Sequence, residues 1–199
     1  MKEEKDKKID QYMDILHLVE KMKNNTRHSW TSSGRKESVA EHSYRLTIMA
    51  YFLKDRFPDA DIDKVIRMCM FHDMGEAFTG DIPAFEKTQE HENKEEEVLS
   101  EWVAQLPEPF KSELTDLYQE MNALETEEAK IYKALDRMEA VIQHNEADLS
   151  TWLPLEYDLQ LTYGTKEVQF SEVMQELKNK ANQDSRKKMN SGHCKIPTE

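Results

Sequence analysis

The chain has 199 residues, a length that suits one domain with a full hydrophobic core and is short for two. Charged residues make up 34% of it, and glycine and proline are scarce, with 5 and 6 residues, so the composition favours long helices over a turn-rich β fold. The net charge of −13 repels polyanions, which makes duplex DNA or RNA an unfavourable partner; a small anionic substrate requires a cation and arginines that reverse the local potential.

The first part of the chain alternates between helical and polar segments. Apolar residues between positions 9 and 19 recur at helical spacing, which predicts a first amphipathic helix. The polar run NNTRHSWTSSGRKE, residues 24–37, is typical of a loop. Ser38 and Glu41 have the spacing of a capping box, so we expect them to open a second helix that ends at Phe57, before the next proline.

The remainder is predicted to be largely helical. A third helix begins near Asp61 and ends around Phe78, where Gly80 breaks the pattern. Further helices are expected at residues 88–106, 109–124, 126–146 and about 166–180. We expect one domain over residues 1–185, with a core of about 10–165, followed by a polar, flexible tail over 186–199.

Helices two and three carry polar side chains where apolar ones are expected. His42 occupies an inward position of the second helix, and His72, Asp73 and Glu76 replace the last apolar turn of the third. Because a carboxylate buried without a partner is strongly unfavourable, this grouping indicates a bound divalent cation. Taken singly, His42 is more simply a hydrogen-bonded core histidine, and His72–Asp73 is equally well a solvated helix end.

Asp136 is less distinctive by pattern alone. The apolar stripe of its helix consists of Ile131, Leu135, Met138 and Ile142, and Asp136 lies one step away from that stripe. This phase predicts a surface or helix-capping acid.

The cysteines and the amino-terminal segment bear on location. Cys69 lies in an apolar helical run and Cys194 in the polar tail, which argues against a disulfide framework and favours a reducing compartment. The charged opening MKEEKDKKID does not resemble a signal peptide, and no run reaches the ~18 apolar residues that a membrane span needs. We therefore expect a cytoplasmic protein without a membrane partner.

Together, these residues resemble the HD-domain phosphohydrolase superfamily, whose pattern is a histidine, a His-Asp doublet and a distant aspartate. Here those residues are His42, His72–Asp73 and Asp136. The runs ESVAEHSYR, FHDMGEAFTGDIP and AKIYKALDRMEAVIQ, with the upstream RHSW, are similar to the 5′-deoxynucleotidase branch, whose members hydrolyse deoxynucleoside 5′-monophosphates. The resemblance covers roughly residues 10–165.

The resemblance implies an all-α fold, a compact single-domain helical bundle with a central metal site, and commonly a homodimer. It implies that His42, His72, Asp73 and Asp136 hold one divalent ion of the Mn²⁺, Co²⁺ or Mg²⁺ type. Mixed imidazole and carboxylate ligands do not select one metal, so Zn²⁺, Ni²⁺ and Fe²⁺ remain compatible with the same residues.

The resemblance also implies roles for residues around the metal. Glu76 emerges on the same helix face as His72 and matches the acid of the family's HDxxE motif, so it is expected to orient or deprotonate the attacking water. Asp81 is expected to be a second catalytic acid, although its position after a Thr-Gly break also suits an N-cap. Arg27 is expected to bind the phosphate and Trp30 the sugar or base; without the resemblance, they are a solvated loop arginine and a core tryptophan.

Three functions are compatible with this pattern. The first is hydrolysis of deoxynucleoside 5′-monophosphates to deoxynucleoside and phosphate by attack of a metal-bound water. The second is another HD-domain activity, that of a cyclic-nucleotide phosphodiesterase or a deoxynucleoside triphosphate hydrolase, although few Lys and Arg residues flank the motifs to hold a triphosphate. The third is a non-catalytic, metal-stabilised module that senses nucleotides; Glu76 and Asp81 argue against it, because a structural metal site has no use for them.

Overall fold

The computed structural model describes residues 2–193, and over that range the chain is a bundle of α-helices with one small antiparallel hairpin, which confirms the predicted helical fold. None of the helices in this range is both long and apolar enough to cross a membrane. Short 3₁₀ turns lie at Lys54–Arg56 and Leu149–Thr151. The main elements are α1 (Lys2–Asn24), β1 (Thr26–Trp30), β2 (Lys36–Ser38), α2 (Val39–Phe52), α3 (Ile62–Phe71), α4 (Glu76–Thr79), α5 (Gln89–Gln105), α6 (Phe110–Ala123), α7 (Glu127–Glu146), α8 (Glu156–Thr162) and α9 (Glu172–His193).

Helix α7 is the central element of the bundle. It packs against α2, α3, α6, α9 and strand β1, so side chains on several of its faces are buried. A helix enclosed in this way has no single solvent face. The position of a residue relative to one apolar stripe therefore does not decide whether its side chain is buried. Asp136, whose phase predicts a surface acid, is only 9% exposed. The prediction that Asp136 lies at the surface was wrong, because the apolar stripe marks only one of several packed faces of α7.

The amino-terminal end of α2 has the predicted cap. The Ser38 side chain accepts a hydrogen bond from the Glu41 backbone N–H, while the Glu41 carboxylate accepts one from the Ser38 backbone N–H. This reciprocal pair satisfies two backbone donors that a helix start otherwise leaves free. The cap therefore fixes where α2 begins and, four residues into the helix, where His42 lies.

The segment at residues 24–37 was predicted to be a loop and instead contains the β1–β2 hairpin. Thr26 pairs with Ser38 and Trp30 with Lys36, and Gly34 in the connecting turn has a φ of 81°, a conformation that favours glycine. Only Thr26 of the eight strand residues is exposed, so most of the polar side chains of the hairpin are partly or fully buried. Composition therefore concealed a hairpin whose strands pair with each other and pack against α7, α2 and α1.

The predicted third helix, residues 61–78, is interrupted. Helix α3 ends at Phe71, whose carbonyl accepts hydrogen bonds from the Met74 backbone N–H at 3.2 Å and the Tyr118 hydroxyl at 2.8 Å. The chain then turns with short-range bonds of the i to i+3 type until α4 begins at Glu76. The break places the His-Asp doublet in a tight turn at the end of α3. The second helix is also shorter than predicted and ends at Phe52.

The helices predicted at residues 88–106, 109–124 and 126–146 are confirmed as α5, α6 and α7. The last helix, α9, begins later and ends later than the predicted 166–180, and α8 was not predicted. Because α9 continues to His193, it enters the segment expected to be a polar tail. The domain boundary at residue 185 stays a prediction, and residues 194–199 lie outside the described range.

Candidate metal centre and its surroundings

Four predicted side chains come together from three parts of the fold. His42 lies on α2, His72 and Asp73 follow α3, and Asp136 lies on α7. The two imidazole Nε2 atoms are 3.2 Å apart, and the Nε2 atom of His72 is 2.9 Å from Asp73 Oδ2. Asp136 Oδ1 lies 3.4 Å from the His42 Nε2 atom and 3.7 Å from that of His72. The distance from His42 Nε2 to Asp73 Oδ2 is 3.8 Å.

These separations fit ligands of one metal ion. Imidazole nitrogen and carboxylate oxygen bind divalent ions at about 2.0–2.2 Å, so two ligands of one ion lie at most roughly 4.4 Å apart. Each of the five distances falls below that limit. Two neutral imidazoles and two carboxylates are donors that divalent first-row metals accept.

The remaining atoms of these side chains have partners that turn the ligand atoms inward. The Nδ1 atom of His42 lies 2.5 Å from Glu139 Oε2, and that of His72 lies 2.9 Å from the carbonyl oxygen of Cys69. Lys133 Nζ donates to Asp136 Oδ2 at 3.0 Å, which leaves Oδ1 facing the histidines. Such partners fix the tautomer and orientation of metal-binding histidines.

The electrostatics of the site favour positive charge. Burial opposes an imidazolium at His42, but Glu139 and Asp136 outweigh it and raise the pKa of His42 to about 9. Burial also disfavours the charged form of Asp73, yet the neighbouring His72 holds its pKa below the ordinary value. For Asp136, Lys133 and His42 likewise overcome burial and lower the pKa. A potential that draws a proton onto a buried imidazole also attracts a divalent cation.

A second group of possible ligands lies behind His42 and has a different partner. Glu37, His42 and Glu139 also bring three donor atoms close together. However, the Nη1 atom of Arg27 is 3.3 Å from both carboxylates, so a guanidinium supplies the positive charge there. Burial and the charge of Glu139 raise the pKa of Glu37 to about 7. We therefore interpret this group as the support of His42 and Arg27.

Glu139 was not identified from the sequence, although a signal for it exists. It follows Asp136 by three residues on α7, and residues three apart share a helix face. Once Asp136 is placed next to the histidines, Glu139 is therefore expected to face the same side. Glu37 carries no comparable signal, because its position depends on the hairpin that composition concealed.

Glu76, the candidate for handling water, is buried at the start of α4. It is 5% exposed, and its Oε2 atom has no hydrogen-bond partner among the described residues. Burial first, and then repulsion from Asp73 and Asp81, raise the pKa of Glu76 to about 10. Its backbone carbonyl accepts a hydrogen bond from Asn25 Nδ2 at 2.5 Å, which ties α4 to the residue before β1. The carboxyl group thus lies in an acidic, poorly hydrated position near the four candidate ligands.

Asp81 and Arg27 line one cavity, of about 100 Å³, next to this centre. Gly80, with a φ of 77°, lets the chain leave α4 in the direction that brings Asp81 to β1. There the Asp81 carboxylate accepts a hydrogen bond from the backbone N–H of His28, while burial raises its pKa. The structure therefore brings Arg27 and Asp81 together.

Trp30 is not among the residues that line this cavity. Its half-buried indole lies under the ammonium group of Lys36, 4.8 Å from the ring centre, and its carbonyl accepts a hydrogen bond from Gln143. The structure thus places Trp30 in the hairpin and against α7, away from the cavity shared by Arg27 and Asp81. Its expected contact with the sugar or base stays a prediction.

The arrangement lies in a region that matches a known protein family. A family model described as HD domain matches residues 19–178, which include all four candidate ligands and both candidate acids. The chain belongs to the HD-domain family.

Several known proteins are similar to this chain. The human 5′-deoxynucleotidase HDDC2 is 33% identical over 138 residues, which cover 67% of each chain. The Xenopus laevis protein of the same name is 35% identical over 135 residues, or 66% of each chain. A crystal structure of a predicted metal-dependent phosphohydrolase from Magnetospirillum magnetotacticum has a TM-score of 0.76 at 25% identity and matches 92% of this chain and 94% of its own.

The contact between Glu139 and His42 generates a first prediction. Glu139→Gln keeps the side-chain shape and removes the negative charge that faces His42 Nδ1, so the affinity for a divalent ion should fall by about 10–100-fold. Titration calorimetry with Co²⁺ measures this effect. Glu146→Gln, which removes an exposed partner of Arg45, is the matched control and should leave the affinity unchanged. Equal affinities in both variants would show that Glu139 does not position His42.

Proposed function

We propose that this HD-domain chain is a metal-dependent phosphohydrolase that converts deoxynucleoside 5′-monophosphates to deoxynucleosides and phosphate. The observation that carries the proposal is that Asp73 and Asp136 each place a carboxylate oxygen 2.9–3.8 Å from the Nε2 atoms of His42 and His72, near the buried carboxyl of Glu76. The substrate class is supported by the relatives named 5′-deoxynucleotidase, and dependence on a metal by the structural neighbour described as a phosphohydrolase.

His42, His72, Asp73 and Asp136 are the residues that would hold the metal. When bound, a divalent cation neutralises charge on the phosphoryl oxygens and increases the acidity of water. The mixed nitrogen and oxygen donors suit Mn²⁺, Co²⁺ or Mg²⁺ and accept Zn²⁺, Ni²⁺ and Fe²⁺ as well, so cellular availability would select the ion.

Arg27 is proposed to bind the phosphate. Its side chain is 14% exposed, and one nitrogen of the guanidinium is held between Glu37 and Glu139, which leaves other N–H groups of the planar fork for a ligand. Although burial opposes the charge, these acids and Asp73 raise the pKa of Arg27 above its ordinary value. A fixed, permanently charged arginine beside the centre would orient a phosphate in the direction of the candidate metal ligands.

Glu76 is proposed to orient the attacking water and to take its proton. A divalent cation in the centre would favour the ionised form of Glu76, and its buried Oε2 atom, which has no partner among the described residues, could then accept the proton of that water. Asp81 is proposed to act as a second acid, which returns a proton to the 5′ oxygen as the bond to phosphorus breaks. The cycle balances once the proton taken by Glu76 passes through solvent to Asp81, so that the water has supplied one proton to the leaving nucleoside and a hydroxyl group to the phosphate.

A homodimer is proposed on the basis of the family resemblance and of two neighbouring exposed surfaces. Helices α1 and α2 contact each other, and each exposes a set of large apolar side chains. Exposed apolar patches of this kind mark interaction surfaces, and a patch that pairs with itself gives a closed twofold dimer. The exposed residues are Ile9, Tyr12, Met13, Leu16 and Val19 on α1, and Tyr44, Ile48, Tyr51 and Phe52 on α2.

A cytoplasmic location is also proposed. Cys69 is a free, fully buried cysteine whose thiol pKa is raised by burial, so it behaves as a small core residue. A core cysteine without a disulfide suits a reducing compartment. An enzyme that acts on nucleoside monophosphates would meet its substrate there.

The substrate proposal is tested by a phosphate-release screen with Mn²⁺ or Co²⁺ present. We expect phosphate from deoxynucleoside 5′-monophosphates, less from ribonucleoside 5′-monophosphates, no triphosphate from dGTP and no opening of cyclic AMP. Release of triphosphate or hydrolysis of cyclic AMP would instead support one of the other HD-domain activities. Metal binding without turnover of any nucleotide would favour the sensor function.

Two substitutions should separate metal binding from chemistry. Asp73→Ala removes a ligand and should abolish both metal binding and activity, whereas Glu76→Ala should retain the metal and lower kcat by about 100-fold or more. Calorimetry and the phosphate assay measure the two properties independently. Glu90→Ala, at the exposed start of α5, is the control. A Glu76→Ala variant with full activity would contradict the role assigned to Glu76.

The dimer is tested by light scattering coupled to size exclusion. The unsubstituted chain should have about twice its monomer mass of 23.5 kDa. Tyr44→Glu combined with Phe52→Glu places charges on the exposed face of α2 and should give the monomer mass. Leu155→Glu, an equally large change at an exposed residue before α8, should remain dimeric. A monomeric unsubstituted chain would refute the dimer.

A further inference from the structure

A second polar cluster lies apart from the four candidate metal ligands. It consists of His28 on β1, His144 near the end of α7 and Glu156 at the start of α8. The Nε2 atom of His28 is 2.9 Å from Glu156 Oε1, and that of His144 is 3.3 Å from Glu156 Oε2. One carboxylate therefore contacts two imidazoles that come from different elements.

The ionised carboxylate of Glu156 holds these two rings. Burial opposes its charge, but the nearby His144 and a hydrogen bond from the Leu153 backbone N–H keep its pKa below the ordinary value. Because a carboxylate only accepts hydrogen bonds, it favours the proton on the Nε2 atom of each histidine. His144 is further held by the indole of Trp152, whose ring centre is 4.7 Å away. These contacts orient both rings so that their Nε2 atoms face Glu156.

The cluster lines the same cavity of about 100 Å³ as Arg27 and Asp81. The cavity therefore extends from residues proposed to act on the phosphate to a group of side chains that has no role in phosphate chemistry. Its other walls include the apolar side chains of Val141 and Leu159 and the ring of Phe85. Phe85 contacts His28 edge to face at 5.3 Å and remains 36% exposed, so its ring is available to a planar ligand.

The chemistry of the cavity identifies the class of its ligand. With Nε2 protonated, the Nδ1 atom of a neutral histidine is a hydrogen-bond acceptor. Within residues 2–193, both imidazoles contact the carboxylate of Glu156 through Nε2, which leaves Nδ1 of each ring for a ligand. Two acceptors in an apolar, aromatic cavity suit a flat heteroaromatic ring that carries N–H donors, and an exocyclic amino group supplies two such donors.

We propose that this cavity is a nucleobase subsite in which His28 and His144, held by Glu156, select bases that carry an exocyclic amino group. The inference rests on the proposed function, because the ring must be joined to the phosphate that Arg27 would bind. Adenine, cytosine and guanine carry the amino group, whereas thymine has an oxygen in its place. The subsite thus favours dAMP, dCMP and dGMP over dTMP.

The test compares substrates that share a phosphate and differ in the base. His28→Phe retains an aromatic ring, removes the Nδ1 acceptor and leaves intact the backbone N–H that Asp81 uses. It should lower kcat/KM for dAMP by about 10-fold, the equivalent of one lost hydrogen bond, and reduce the preference over dTMP. On 2-deoxyribose 5-phosphate, which has no base, the variant should match the unsubstituted protein. His17→Phe makes the same change at an exposed position of α1 and is the control.

His144→Phe should have the same selective effect, and its Tm reports whether the buried substitution is tolerated. A loss of equal size on dAMP and 2-deoxyribose 5-phosphate would overturn the proposal, because the histidines would then act on the centre or on the fold. If His28→Phe kept the same preference for dAMP over dTMP, the subsite proposal would be overturned. The proposed function would still stand in that case, provided that the unsubstituted protein released phosphate from dAMP.

A binding experiment tests the base subsite independently of the proposed hydrolytic function. Deoxyadenosine, which lacks a phosphate, should raise the Tm of the unsubstituted protein more than thymidine does, and His28→Phe should remove that difference. This result would support the subsite even in a chain that released no phosphate from any nucleotide. If both nucleosides raised the Tm equally, or if neither raised it, the subsite proposal would be overturned.

Discussion

The contact between His42 and Glu139 joins α2 to α7 inside the protein, and the arrangement of the centre depends on it. Both side chains are inaccessible to solvent, and 2.5 Å separates Nδ1 from the carboxylate oxygen. Groups of this kind are expensive to remove from water, so they persist only where charge and hydrogen bonding are well matched. Arg27 contacts the same carboxylate oxygen at 3.3 Å, and the Nε atom of Arg45 lies 3.8 Å from the other. The pair contributes to a fixed register between two helices that each carry a candidate metal ligand.

The end of α3 provides the other half of the centre. A regular helix turns consecutive residues about 100° apart, so His72 and Asp73 would diverge on an uninterrupted helix. In the structure the helix stops at Phe71, and the following tight turns bring the Nε2 atom of His72 within 2.9 Å of the neighbouring carboxylate. The Tyr118 hydroxyl on α6 donates a second hydrogen bond to the last carbonyl of α3, beside that from the Met74 backbone N–H, and so ties the end of α3 to α6. The break in the helix is therefore what allows both side chains to face the same point.

Much of the fold could be predicted from the sequence, because its longer helices have clear periodicity and recognisable caps. Ser38 and Glu41 identify the start of α2, and α5 to α7 lie close to their expected bounds. The predicted ligands meet in space, but the residues that orient them were not found in advance. Glu37 depends on a polar hairpin, and the burial of Asp136 depends on helices packing around α7 from several sides. Local patterns describe the face of a helix and do not reveal how many neighbours surround it.

Strand β1 has a consequence for how the site can vary. Its neighbouring residues Arg27 and His28 serve different neighbourhoods: the first contacts Glu37 and Glu139 behind the centre, and the second contacts Glu156 on α8. The pairing of β1 with β2 is irregular between Thr26 and Trp30, where four residue steps of β1 lie opposite two of β2, and Arg27 and His28 lie in this irregular stretch. An insertion or deletion in β1 would therefore move these side chains away from their carboxylate partners, whereas Gly34 in the exposed turn has open space around it. The number of residues in β1 thus keeps Arg27 against α7 and His28 against α8.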